Sequence, residues 1–320
     1  MRKKYVLLTL ASALFLFTVL RAPAAREGAK WGLSLFTELL LPSLLPCFAL
    51  SGLLNRLGLP ELLRRPCSAV MGFFRQSGAV AAALLSGLLG GYPLGAGALA
   101  QLYESGRISR EDAESALSFC DNTGPAFAVA ALGGALGSSA LGLALYGIQL
   151  LTALCVGLLL RRESGGGSAP EEPEGKTQTL PPAAALCESV TAAMAAMLNV
   201  GAFVIFFAAL LFAADEAGLL TALSLPLVRA RVEPGVCRAL LWSFFELSGT
   251  VGLLSALPLS PVTLAVGSFA LSWGGLCVHF QSTAVTAGAG LRNRRRLFGK
   301  LLQGLLAAAL AYALGAALKI

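Results

Sequence analysis

The sequence predicts an all-α polytopic membrane protein. The predicted fold is an inverted repeat of helix, re-entrant hairpin, broken helix and helix, plus an extra N-terminal helix. Three observations predict it: the apolar composition, polar helix breaks inside apolar segments, and the distribution of basic residues. Hydrophobic residues make up 56% of the 320 residues and charged residues only 13%, whereas soluble domains average about 25% charged residues. This composition is typical of a chain that crosses a bilayer several times.

Two polar, helix-breaking clusters interrupt apolar sequence in the first half of the chain. Residues 90–97 read GGYPLGAG, and residues 120–125 read CDNTGP. Irregular backbone is tolerated at membrane depth only where protein or a water-filled cavity satisfies its N–H and C=O groups. Paired interruptions of this kind indicate the binding site of a secondary transporter.

The basic residues favour a topology with two re-entrant hairpins. We take the apolar segments 78–104 and 237–257 as hairpins with turns at 90–95 and 247–249, and we place the N-terminus inside. Most of the 24 Lys and Arg residues then fall on the cytoplasmic side, Arg296 and Lys300 among them, in agreement with the positive-inside rule. In the alternative topology every apolar segment spans the membrane, and the glycines only pack helices closely.

The hairpin topology divides the chain into two repeats that start in opposite directions across the membrane and are therefore inverted. The first repeat covers 31–162 and the second 186–320. The polar stretch 163–185 joins them as a predicted disordered, cytoplasmic linker. Residues 1–30 are an N-terminal span or a signal-like segment, and we favour an uncleaved span. The apolar segments are 5–22, 31–54, 78–104, 115–138, 139–160, 186–214, 237–257, 260–290 and 299–318.

Two acidic residues beside the chain breaks are candidates for ion coupling. Asp121 and Glu246 lie in apolar segments, where a central Asp costs about 2.5–3.5 kcal/mol on the insertion scale. Either carboxylate can bind a coupling proton or Na⁺, and the sequence leaves the ion open. Glu38 precedes Pro42 in a continuous helix and can reach the headgroups. We therefore expect Glu246 to matter more than Glu38.

The hairpin turns place the N-termini of short helices near the middle of the membrane. Unpaired N–H groups at such ends favour an anion such as a carboxylate, and neutral side chains nearby add hydrogen bonds. We expect each hairpin turn to lie against the broken helix of the other repeat. The expected substrate-binding residues are Tyr92, Pro93, Gly95, Asn122, Thr123, Ser248, Gly249, Thr250 and Gln281.

The motifs of enzymes and metal sites are missing from the sequence. It has no Walker A motif, no G-x-S-x-G, one histidine and seven widely spaced cysteines, so we expect neither an enzyme nor a metal site. We expect no cofactor apart from a coupling ion. The net charge of +7 is modest and needs no nucleic acid partner. The expected partners are the lipid bilayer and a small-molecule solute, with homo-oligomerisation left open.

Four short motifs follow one another along the chain: 91–96 (GYPLGA), 122–127 (NTGPAF), 246–249 (ELSG) and 274–281 (GGLCVHFQ). In this order they resemble the successive signatures of the sporulation integral membrane protein YlbJ family. That family is grouped with the nucleoside recognition or gate-domain membrane proteins. Its hairpin-plus-broken-helix halves are similar to those of concentrative nucleoside transporters. The resemblance covers residues 31–318.

The resemblance implies a multi-pass protein of the cell membrane with a role in endospore formation. It implies export of dipicolinate (pyridine-2,6-dicarboxylate) across a mother-cell-derived forespore membrane. The residues themselves support a transporter of a small polar or anionic solute. Two alternatives stay open: a nucleoside or nucleobase transporter of the same architecture, and a non-transporting scaffold of the spore envelope.

Overall fold

The structure is a computed structural model that describes residues 2–161 and 181–320. Within these ranges every regular element is a helix, no strand occurs, and five helices are long and apolar enough to cross a membrane. The predicted all-α polytopic fold is confirmed. Most of the predicted linker 163–185 lies outside the described residues, and from Pro182 onward the chain is already helical.

The first repeat follows an N-terminal helix, α1 (Arg2–Leu20), which exposes large apolar side chains along its length. The long helix that opens the repeat contains a π-helical turn at Phe36–Leu40. The helices of this repeat are α2 (Ala22–Arg56), α3 (Leu59–Arg64), α4 (Ser68–Phe73), α5 (Val80–Gly90), α6 (Leu94–Glu104), α7 (Arg110–Cys120), α8 (Ala126–Ala135) and α9 (Ser139–Leu159).

The second repeat has the same order of elements: a long helix, a short helical connection, a hairpin, a broken helix and a final helix. Short helices occupy the stretches between the apolar segments of the opening helix and the hairpin in both repeats. The helices of the second repeat are α10 (Pro182–Glu216), α11 (Leu219–Arg229), α12 (Pro234–Phe245), α13 (Leu247–Leu254), α14 (Pro261–Trp273), α15 (Gly275–Ala287) and α16 (Arg294–Leu318).

The opening helices of the two repeats run antiparallel. Gly28, near the start of α2, lies against Ala208 and Phe212 of α10. Gly52, near the end of α2, lies beside Ser189. Residue numbers therefore rise along α2 while they fall along α10. Two repeats with the same order of elements and antiparallel first helices are related by inversion, as the sequence predicts.

The short helices α5 and α6 form the first hairpin, and α12 and α13 form the second. In each pair the two arms pack against one another, so neither pair is one straight span. The arms α5 and α6 have 11 residues each, or about 16 Å at 1.5 Å per residue. This length is about half of the ~30 Å hydrocarbon core. Both pairs therefore fold as hairpins, as re-entrant segments require, which contradicts the alternative in which every apolar segment spans.

Three predicted boundaries differ from the structure. Residues 22–30 belong to α2 and not to a separate N-terminal segment. The second hairpin turns at Glu246, one residue before the expected turn, because α13 already begins at Leu247. The final helix begins at Arg294, five residues before the predicted apolar segment 299–318. No glycine or proline lies between residues 294 and 298, so nothing in that stretch opposes helix formation.

We predict that α11 lies on the external side of the membrane and that the start of α10 lies on the cytoplasmic side. Both regions offer an exposed labelling position, Thr221 in α11 and the native Cys187 in α10. In single-cysteine variants, a membrane-impermeant maleimide added to intact cells will label Thr221→Cys at once. It will label Cys187 only after permeabilisation. Labelling of position 221 from the cytoplasmic side alone would overturn the predicted topology.

Candidate functional site

The first hairpin lies with its backbone directly on the break of the first broken helix. Gly91 has a φ of 91°, a left-handed conformation that glycine adopts without steric cost. A Cβ at Gly91 would lie 2.8 Å from the nitrogen of Gly124. A Cβ at Gly87 or Gly95 would overlap the carbonyl oxygen of Cys120. The glycines therefore let α5 and α6 contact the main chain of the break.

The second hairpin meets the second broken helix in the same way. Gly275 has a φ of 79°, and a Cβ there would lie 2.8 Å from the carbonyl group of Phe245 and 2.9 Å from the nitrogen of Glu246. The first turn makes the expected contact with the broken helix of the other repeat through the Tyr92 side chain. The backbone of each turn lies against the broken helix of its own repeat. The reason is the short connections 105–109 and 255–260, because consecutive elements usually pack together.

Two hydroxyl groups of the first repeat join it to the second. Tyr92 donates its hydroxyl to the carbonyl oxygen of Ser272 at 3.1 Å. Thr123 donates to the carbonyl oxygen of Leu271 at 2.7 Å. These carbonyls belong to the last turn of α14, whose final C=O groups have no intrahelical partner. Because lipid cannot hydrogen-bond them, the two hydroxyls stabilise the second helix break.

Glu246 forms the turn of the second hairpin and caps α13. Its carboxylate accepts hydrogen bonds from the backbone N–H of Ser248, at 2.9 Å, and from that of Gly249. Thr250 donates its hydroxyl to the Glu246 carbonyl oxygen at 2.8 Å. The N–H groups that we expected to bind an anion at this helix end are therefore occupied by the protein's own carboxylate. In the described part of the chain, α6 has no comparable side-chain cap.

Both hairpin turns, the first helix break and α15 line a narrow cavity of about 40 Å³. Apolar residues of α2 and α10 complete its wall. Five of the predicted site residues line the cavity: Tyr92, Thr123, Glu246, Ser248 and Gln281. The other predicted site residues are buried in the packing around it: Pro93, Gly95, Asp121, Asn122, Gly249 and Thr250. Polar side chains from both repeats therefore share one cavity.

A second polar cluster lies beside the first break and includes charged residues of α16. Arg296 and Asp121 form an ion pair with an N···O distance of 2.8 Å, and their side chains are 1% and 0% exposed. Arg296 also donates to Ser282 Oγ and to His279 Nδ1, each at 2.8 Å. A guanidinium has no acceptor, so the ring proton of His279 lies on Nε2. The predicted ion-coupling carboxylate of Asp121 is thus bound to a cation of the protein.

Lys300, one helical turn after Arg296, is the second buried cation of α16. It is 0% exposed. Its ammonium donates to Asn122 Oδ1 at 2.9 Å and to Gln303 Oε1 at 2.6 Å. It also lies 5.2 Å from the centre of the Tyr92 ring, an arrangement that allows a cation–π interaction. Tyr92 also lines the cavity, so its ring connects the Lys300 site to the cavity wall.

Arg296 and Lys300 are the site residues that the sequence did not reveal. We expected both on the cytoplasmic face, whereas the structure buries them between the repeats. The available signal was their spacing, because residues 296, 300 and 303 lie on one face of a helix. Arg294 and Arg295 lie on other faces and are exposed. The positive-inside rule counts charges along the chain and does not register the direction of a side chain.

The two inverted repeats and the buried polar junction between them define a polytopic α-helical integral membrane protein. The sequence is 29% identical to sporulation integral membrane protein YlbJ of Bacillus subtilis (strain 168), in an alignment that covers 93% of this chain and 80% of that protein. This likeness over nearly the whole chain agrees with the resemblance that its four motifs indicated. No family model and no solved structure matches the sequence.

Proposed function

We propose that the protein is a membrane transporter of a small polar solute. The observation that supports this is the meeting of both hairpin turns, the first helix break and α15 of the second broken helix around one cavity, with polar side chains from the two repeats in its wall. Discontinuous helices that meet near the bilayer midplane form the substrate sites of secondary transporters. A membrane scaffold needs no such breaks, each of which has to be compensated by buried hydrogen bonds.

The cavity offers hydrogen-bond acceptors, donors and a flat ring. The Glu246 carboxylate accepts, and the Gln281 amide both donates and accepts. The hydroxyls of Thr123 and Ser248 add two further polar groups, and Tyr92 adds its ring. A solute with several hydroxyl, N–H or ring atoms would match this wall.

The cavity is too small for a solute in the conformation described. Its volume of about 40 Å³ holds roughly three water molecules, whereas small-molecule pockets measure about 300–1,000 Å³. Its wall combines the hairpin turns, the first break and α15 with apolar residues of α2 and α10. We propose that the hairpins move away from α2 and α10 to admit the solute.

We propose dipicolinate as the solute, from the family resemblance, and a role in endospore formation, because the relative is named a sporulation integral membrane protein. In that role the chain would reside in a mother-cell-derived membrane of the forespore. A nucleoside or nucleobase is the second candidate, and Glu246 favours it. A carboxylate in the cavity wall accepts hydrogen bonds from hydroxyl and ring N–H groups, and it repels a dianion.

Solute flux in proteoliposomes tests the proposal. The purified full-length chain is reconstituted, and uptake of labelled dipicolinate is compared with uptake of labelled nucleosides, with protein-free vesicles as the control. Protein-dependent uptake of dipicolinate supports the first candidate, and uptake of nucleosides alone supports the second. Uptake of neither solute by folded protein would favour the scaffold.

We predict that Glu246→Gln will keep the fold and lose gradient-driven transport. The amide preserves the shape and one acceptor oxygen for the cap of α13, and loss of a cap costs only about 0.5–2 kcal/mol. The substitution removes the charge that is proposed to bind the coupling ion. The measurement is uptake against a gradient and solute exchange at equilibrium, at matched protein level and across pH, with exchange partly retained.

Glu38→Gln is the matched control for this variant. Glu38 is exposed on α2, where it accepts a hydrogen bond from Ser34 Oγ at 2.9 Å, and it does not line the cavity. We expect native flux from it. Gradient-driven uptake by Glu246→Gln at the level of the Glu38→Gln control would show that Glu246 is a structural cap without a part in coupling.

A further inference from the structure

Lys300 occupies a position that is built for a cation. α7 ends at Cys120, and the carbonyl end of a helix carries about half a unit of negative charge. The chain then leaves the helical conformation between residues 121 and 124. The Lys300 ammonium lies at this point, 2.9 Å from Asn122 Oδ1 and 2.6 Å from Gln303 Oε1. Its hydrogen-bond acceptors are neutral oxygen atoms beside a helix break.

No carboxylate within residues 2–161 and 181–320 forms an ion pair with Lys300. The nearby Asp121 is paired with Arg296 through Oδ2, and its Oδ1 has no hydrogen-bond partner in the described part of the chain. Glu246, the other buried acid, is bound to the backbone N–H groups of α13. A cation is thus buried here beside a helix end, and its ligands are two side-chain amide oxygens.

These ligands are the kind that secondary transporters offer to Na⁺. Unwound backbone and the carbonyl ends of half-helices coordinate the coupling cation in such proteins. The Lys300 ammonium lies beside the end of a half-helix and an unwound segment, and two side-chain amide oxygens accept its hydrogen bonds. Ammonium and Na⁺ carry the same charge, and both are stabilised by oxygen atoms. The difference is that the ammonium is covalently attached and cannot leave.

We infer that the Lys300 ammonium is a tethered cation in the place that a coupling Na⁺ would otherwise take. The native protein therefore binds no Na⁺ at the first helix break. For transport, the consequence rests on the proposed function: a Na⁺ gradient does not drive the solute, and a proton at Glu246 is the coupling ion. The statement about ion binding holds for any solute.

Thermal unfolding tests the site without any solute. Purified full-length protein in detergent is heated in sodium chloride and in choline chloride at equal concentration, and the native protein should melt at the same temperature in both. Lys300→Ala leaves Asn122 Oδ1, Gln303 Oε1 and the unpartnered Asp121 Oδ1 around an empty volume. We expect Na⁺ to bind there and to raise the Tm of this variant by about 2–4 °C over choline.

Lys30→Ala is the control, because Lys30 is exposed and its ion pair with Glu27 lies far from the break in sequence. It should show no Na⁺-specific rise. A Na⁺-specific rise in the native protein, or equal melting of Lys300→Ala in both salts, would overturn the inference. If Lys300→Ala does not fold, the comparison of the native protein in sodium chloride and in choline chloride tests the inference by itself. If the melting temperatures are as expected but no solute flux is found, the proposed transport is contradicted and the inference about the cation site is still supported.

Discussion

Gly87→Ala will prevent the first hairpin from packing on the broken helix. A methyl group at Gly87 would overlap the carbonyl oxygen of Cys120, and a main-chain atom cannot turn aside as a flexible side chain can. Ordinary overpacking costs about 1–3 kcal/mol, and a collision between two backbones costs more. We expect the yield of monodisperse protein to collapse and the Tm of any purified fraction to fall by at least about 5 °C.

Gly97→Ala is the matched control on the same hairpin. Gly97 lies in α6, and no described atom lies within 4 Å of a Cβ at this position. Because alanine favours a helix by about 1 kcal/mol over glycine, this variant should melt at or slightly above the native temperature. Equal melting of Gly87→Ala and Gly97→Ala would contradict the close backbone contact at Cys120.

Asp121→Asn will destabilise the protein by about 3–5 kcal/mol, because it leaves the charge of Arg296 buried without a partner. The nearby Lys300 ammonium adds to the imbalance. The variant keeps the size of the side chain, so the loss reports the charge and not a cavity. The measurement is the Tm in detergent, together with the fraction that elutes as a single species in gel filtration.

The pair of Asp215 and Arg238 provides the control for this second prediction. Its side chains are 27% and 49% exposed, and exposed pairs contribute only about 0–1 kcal/mol. Asp215→Asn should therefore melt close to the native protein. The double variant Asp121→Asn with Arg296→Gln should recover part of the loss, since no lone guanidinium remains. Similar melting of Asp121→Asn and Asp215→Asn would contradict a structural ion pair at the break.

The fold was predictable because clusters of glycine and proline within apolar sequence indicate where a membrane helix is interrupted. A hairpin turn and a helix break are predicted at residues 90–97 and 120–125, since neither cluster can continue a helix in lipid. The distribution of basic residues then indicated which apolar segments are hairpins and which cross the membrane. The same reasoning placed the second turn one residue late, because Glu246 ends one arm and caps the next. A sequence pattern does not show which side chain accepts the free N–H groups.

The polar junction was only partly predictable. Tyr92, Thr123 and Gln281 were expected at the cavity because they flank the breaks, and they line it. The partners of Asp121 and Asn122 come from α16, far along the chain. The spacing of residues 296, 300 and 303 places them on one helix face, but it does not show which residues that face contacts. Long-range pairing of buried charges depends on how the two repeats pack, which the sequence of either repeat alone does not contain.

The ion pair at the first break also sets an order of events during synthesis of the chain. Asp121 and Arg296 are 175 residues apart, which at about 5–20 residues per second corresponds to an interval of about 9–35 s. During this interval the first repeat enters the membrane with a carboxylate that lacks its guanidinium, at a cost of about 2.5–3.5 kcal/mol. The first repeat therefore cannot reach its final packing on its own, because the ion pair of Asp121 forms only after α16 has been synthesised.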